Sequence, residues 1–140
     1  MSDAVTLYNK YIGNWGGTYT TYKFEAIKDG KVVKTQIRKP VKDVYLDVEV
    51  SHTNLKEDTT YDVAAIRIRA VDDNGVLLPY YQEPVVLKVS GPIELIGPNI
   101  VTLKGGSSGT YVKTTGEKGI AKISIGRNNK EEKVIEFNIN

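Results

Sequence analysis

An all-β sandwich of antiparallel strands is the fold that this 140-residue sequence predicts. Three observations predict it. Apolar residues recur at every second position over short runs, which is the period of a half-buried strand. Gly, Pro or Asp-Gly pairs separate nearly all of those runs. No stretch holds a sustained apolar period of 3.6 residues, so the pattern gives no reason to place a helix.

The first element is a hairpin over Tyr19 to Arg38, in which Asp29-Gly30 supplies the positive φ angles of a tight primed turn. Pro40 stops pairing because it has no N–H to donate. Val44 to Ser51 alternates: Val44, Leu46, Val48 and Val50 share one face, and Tyr45, Asp47 and Glu49 share the other. Val63 to Val71 sets Ile66, Ile68 and Ala70 against Arg67, Arg69 and Val71, and Asp72-Asp73-Asn74-Gly75 then turns the chain. Further strands are expected at Pro84–Ser90, Ile93–Ile96, Ile100–Leu103, Thr110–Thr114, Ile120–Ile125 and Val134–Ile139. About seven to nine short strands at this spacing mean a sandwich or a barrel. Two inner faces of Val, Ile and Leu favour the immunoglobulin-like sandwich, although the Cys–Trp–Cys signature of antibody domains is missing.

Composition removes several function classes. Nineteen Lys+Arg against 17 Asp+Glu give a net charge of +2, without the basic surplus of a dedicated nucleic-acid binder. With no cysteine there are no disulfides, thiolate metal sites or cysteine nucleophiles, and the single His52 removes multi-histidine metal sites. Apolar runs fall far short of a membrane span, and Met1-Ser2-Asp3 does not open a signal peptide. No cofactor, metal, nucleic acid or membrane is expected as a partner. Charge is uneven: residues 1–40 carry 7 basic and 3 acidic side chains, and residues 41–100 carry 5 and 10.

Each candidate for chemistry has a plainer rival. Asp47 and Glu49 lie about 7 Å apart on one strand face; a glycosidase needs paired carboxyls across a cleft, one with a raised pKa, and a solvated face accounts for these better. Asp72-Asp73-Asn74-Gly75 has adjacent acids where a calcium loop alternates its ligands, so it is read as a turn. Gly105-Gly106-Ser107-Ser108-Gly109 lacks the Lys-Ser/Thr and helix of a phosphate cradle and is read as an inter-strand loop. His52 has no evident Ser or Asp partner, so no triad is expected. The aromatics remain. Tyr11 and Trp15 in the leading segment, and the pair Tyr80-Tyr81, are candidates for stacking on sugar or anchoring an interface; the plainer reading is that they cap the ends of the sandwich. Sugar binding is expected to be weak or absent, because the tyrosines are scattered along the chain.

Tyr11-Ile12-Gly13-Asn14-Trp15-Gly16-Gly17, followed by Thr21-Tyr22-Lys23-Phe24, resembles the segment just after the catalytic barrel in bacterial β-galactosidases of glycoside hydrolase family 2. The resemblance continues through Tyr61 to Ala70, the Asp72–Gly75 turn, Pro79-Tyr80-Tyr81-Gln82-Glu83-Pro84-Val85, Gly91-Pro92, Ile96-Gly97-Pro98 and Gly105-Gly106 with Gly109-Thr110-Tyr111, so it covers residues 8 to 126.

It implies the C-terminal immunoglobulin-like region of such an enzyme. The family's two catalytic glutamates sit in a separate (β/α)₈ barrel of about 250 residues, which this chain could not hold, and no residue here matches the motifs around them. The expectation is therefore a non-catalytic accessory domain of an enzyme that hydrolyses terminal β-galactosides, cytoplasmic in its parent form and partnered by the parent's other domains. A carbohydrate-binding module and a bacterial immunoglobulin-like adhesin repeat are the alternatives. The implied division is a flexible leading segment over 1–17, a hairpin and junction over 18–42 that either ends a preceding module or adds to the same sheets, and the sandwich over 43–140.

Overall fold

The computed structural model describes residues 2–11, 13, 20–127 and 130–140, and it divides into two compact units, Met1–Val41 and Lys42–Asn140.

The first unit opens with a helix, α1 (Ser2–Tyr11), where the sequence reading placed none. Its signal was present but short: Ala4, Leu7, Tyr8 and Tyr11 follow the i, i+3, i+4, i+7 spacing of one helical face. Asp3 in the first turn and Lys10 in the last complement the helix dipole. The Gly13 N–H donates to the Tyr8 carbonyl at 2.7 Å, the six-to-one bond that closes a helix end. The hairpin follows as β1 (Tyr22–Lys28) and β2 (Lys31–Arg38), paired from Tyr22↔Arg38 to Lys28↔Lys31 with a bulge beside Ala26/Ile27. Asp29 (φ 50°) and Gly30 (φ 74°) both take positive φ, as a primed two-residue turn requires. Only Tyr22 among these strand residues is even half-buried.

The second unit is the immunoglobulin-like sandwich, whose described residues form nine strands. They are β3 (Val44–Val50), β4 (Asn54–Leu55), β5 (Val63–Asp72), β6 (Pro84–Ser90), β7 (Ile93–Ile96), β8 (Ile100–Thr102), β9 (Ser107–Thr114), β10 (Gly119–Arg127) and β11 (Lys130–Ile139). One sheet runs β3-β5-β9-β7; the other runs β4-β11-β10-β6-β8. All pairings are antiparallel except β4 with β11. The inner faces are the expected alternate residues. Leu46, Ile66, Ile68 and Val112 from the first sheet meet Leu87, Ile123, Ile125 and Phe137 from the second, all at most 2 % exposed. Burying one such side chain contributes about 1.5–3 kcal/mol.

One local expectation changes. Ser107, Ser108 and Gly109 belong to β9, so the glycine-rich loop is shorter than read, and its turn rests on Gly105 (φ 61°) and Gly106 (φ 75°). A side chain at Gly106 would put Cβ 2.2 Å from the Leu78 carbonyl oxygen, so the two strand connections pack backbone to backbone there. The Asp72–Gly75 segment is the turn expected: the Asp72 carboxylate accepts the Asn74 and Val76 N–H groups at 2.7 and 2.9 Å. These bonds, Val76's foremost, hold the carboxyl below its ordinary pKa. Asp73 accepts the N–H groups of Lys42 and Asp43 at 2.7 and 3.1 Å, which fixes the entry of the chain into β3.

Candidate functional site

Tyr80 and Tyr81 are neighbours with different surroundings. The loop before β6 leaves Tyr80 94 % exposed, while Tyr81 packs against the core. The Tyr81 hydroxyl donates to Glu83 and accepts from Arg127. Arg127, the last residue of β10, also donates from Nε and Nη2 to the two oxygens of Glu132 at 2.7 and 2.9 Å, and from Nη2 to the Val44 carbonyl at 2.8 Å. That last bond ties the second sheet to β3 of the first. Burial, then the Glu83 carboxylate, raise the Tyr81 phenol above its ordinary pKa, with Arg127 opposing; Glu132 holds the Arg127 guanidinium charged. Each of these four side chains bonds another member of the cluster, and Arg127 also bonds the β3 backbone, so the arrangement fastens the sheets. Tyr11 lies exposed on α1 in the first unit. Trp15 lies outside the described residues.

The outer face of the β3-β5-β9-β7 sheet carries more open chemistry. Cross-strand register sets Glu49 opposite Arg67 and Arg67 opposite Gly109, while the next row sets Ala65 opposite Tyr111 and Tyr111 opposite Ile96. Ser51 joins that second row through its N–H, which donates to the Ala65 carbonyl at 3.0 Å. Asp47 and Glu49 are not a free carboxylate pair: Arg69 Nη2 bonds both, at 2.5 and 2.7 Å. Arg67 reaches the second oxygen of Glu49 only at 3.5 Å. Because Gly109 has no side chain and Ala65 only a methyl, the face sinks between Tyr111 and the Glu49–Arg67 row. The result is a groove of about 420 Å³, within the size range of small-ligand sites. Sequence reading passed over it because its residues come from three strands, and only pairing register brings them together.

His52 also acquires neighbours that the sequence did not reveal. The Ser51 hydroxyl lies 3.0 Å from its Nδ1, and an Asp62 oxygen lies 3.8 Å from its Nε2. The three residue types of a hydrolytic triad are therefore adjacent, contrary to expectation, but their bonding differs from one. The Asp62 contact is too long for a hydrogen bond, and Ser51 Oγ already accepts the Ala65 N–H at 3.0 Å. Asp62 accepts the N–H groups of Lys56 and Val63, which lower its pKa with a smaller contribution from His52. The cluster stabilises the β3–β5 connection.

No family model matches the chain. Its architecture is that of an immunoglobulin-like sandwich, and the relatives it matches in sequence are β-galactosidases. It is 27 % identical over 113 residues to a β-galactosidase of Rhizobium radiobacter, covering 80 % of this chain and 81 % of that protein. It is 32 % identical over 97 residues to the β-galactosidase of Thermoanaerobacterium thermosulfurigenes, covering 69 % of this chain but 13 % of that one. In structure it resembles part of a glycosyl hydrolase family 2 member from Bacteroides cellulosilyticus, with TM-score 0.65 and 16 % identity over 88 % of this chain and 18 % of that one. The expected resemblance to bacterial β-galactosidases is thus found in sequence, and the fold recurs in family 2 enzymes. Against the Thermoanaerobacterium and Bacteroides proteins the chain spans less than a fifth of the length.

Proposed function

We propose that the chain is a non-catalytic accessory module of a β-galactoside hydrolase, and that it acts by packing against other parts of that enzyme. One observation carries the packing role: the β1–β2 hairpin bears apolar side chains on both faces, and no described residue of its own unit covers them. Phe24, Ile27, Val32, Val33 and Ile37 are all about half exposed or more. A two-stranded ribbon is marginal in water on its own and becomes stable when a third strand or a packed face joins it. The hairpin and its junction (18–42) then serve as the end of a preceding module, and the sandwich over 43–140 as a separate body. The small share of the longer relatives that the chain covers supports the same reading.

The test joins this chain to its parent enzyme. In the intact enzyme, Phe24→Asp and Ile37→Asp are expected to lower the thermal midpoint and galactosidase activity together, while amides of the hairpin gain protection relative to the chain alone. Equal protection in both, or hydrolysis of a chromogenic galactoside by the purified chain above a contamination control, would overturn the proposal.

A further inference from the structure

We infer that the groove on the outer face of the β3-β5-β9-β7 sheet binds one neutral pyranose ring. This site is built from residues of the sandwich alone and does not depend on the packing role proposed above. Its floor is Ala65 and Gly109, and its walls are the Tyr111 ring, 53 % exposed, and the Glu49–Arg67 row. Ser51 closes one end.

The chemistry selects the ligand class. A pyranose offers an apolar face of ring C–H bonds and a rim of hydroxyls, each both donor and acceptor. Tyr111 beside a floor of methyl and bare backbone provides the flat surface for the first. Arg67 supplies donors only and Glu49 acceptors only, so both halves of the rim are served. One Glu49 oxygen is pinned by Arg69 at 2.7 Å, which fixes the carboxylate, while the other meets Arg67 at 3.5 Å and can exchange that contact for a ligand hydroxyl. Opposite charges side by side leave the wall near neutral, which suits an uncharged ring better than a uronate or a phosphate. A Cβ added at Gly109 would lie 3.3 Å from the Ile66 carbonyl oxygen, so glycine keeps the floor low at this position.

The experiment is a ¹⁵N titration of the full chain with methyl β-galactopyranoside, run beside methyl β-glucuronide. Saturable shifts are expected at the amides of Ala65, Arg67, Gly109 and Tyr111, with a dissociation constant of about 1 mM or weaker, as a shallow site permits. Tyr111→Ala and Ala65→Leu, the second of which fills the floor, should each weaken binding at least about tenfold at an unchanged melting temperature. Should Tyr111→Ala unfold the sandwich, Ala65→Leu and Arg67→Gln carry the same comparison. Lack of saturation, shifts centred on Tyr80, shifts that survive the variants, a response to the glucuronide alone, or shifts that follow protein concentration without sugar would each overturn the inference.

Discussion

Arg127 and Glu132 face each other across the β10–β11 connection as a two-pronged ion pair, with side chains only 11 % and 18 % exposed. Removing one member leaves the other nearly buried without its counter-charge, and the Tyr81 hydroxyl and Val44 carbonyl lose a donor as well. Arg127→Ala is therefore expected to cost about 2–4 kcal/mol. Tyr81→Phe, which deletes one oxygen from the same cluster, should cost about 1 kcal/mol. Urea unfolding reads both as a lower midpoint at unchanged slope; equal, negligible losses would show that the cluster does not fasten the sheets.

Acid should destabilise the sandwich in a defined window. Asp72 is held below its ordinary value chiefly by the Val76 N–H, and Asp62 chiefly by the Lys56 N–H. A carboxyl whose folded pKa is lower than its unfolded one adds stability that is complete above the unfolded value, about 3.9, and is lost as pH falls toward the folded one. The melting temperature is expected to be level from pH 8 to about pH 5 and to fall below about pH 4. Asp72→Asn and Asp62→Asn should each flatten part of that fall, which calorimetry across the range can measure.

Phe137 is the largest fully buried side chain of the core. Phe137→Ala is expected to cost about 3–5 kcal/mol, and Ile123→Val about 0.5–1.5 kcal/mol. A loss under 1 kcal/mol for Phe137→Ala would mean that the interior collapses around the vacancy.

In the chain alone, amides of β1 and β2 should exchange far faster than those of β5 and β10, whose strands are central in their sheets and lined with fully buried residues. Hydrogen exchange followed by mass spectrometry reads the difference directly. Matching protection would mean that the hairpin already has its partner within this chain.

Most of the sandwich was legible because a strand advertises itself locally: Val44–Val50 and Val63–Val71 alternate with the period that burial of one face demands, and Asp29-Gly30 can make few turns other than the one it makes. What escaped were features with little local signal. Helix α1 is a single ten-residue window without a buried face, and β4 is two residues long, defined by its pairing with β11 and by the burial of Leu55. The groove of Glu49, Ser51, Arg67 and Tyr111 exists only through register, which the order of residues does not disclose. Tyr80 and Tyr81 looked alike in sequence and part company because only Tyr81 meets Arg127.

Strand β11 has a consequence for biosynthesis. It bonds β10 along its length and β4 at its far end, and it brings Phe137 and Ile139 into the interior. While a ribosome is still adding β11, the second sheet has no bridge between β4 and β10, and the apolar faces of Leu55 and Ile123 are open to water. Such a topology folds slowly because its decisive contacts join distant parts of the chain, and a partly emerged copy presents unpaired strand edges. Until β11 is available to pair, the nascent sandwich carries an open apolar face and an unpaired edge on β10.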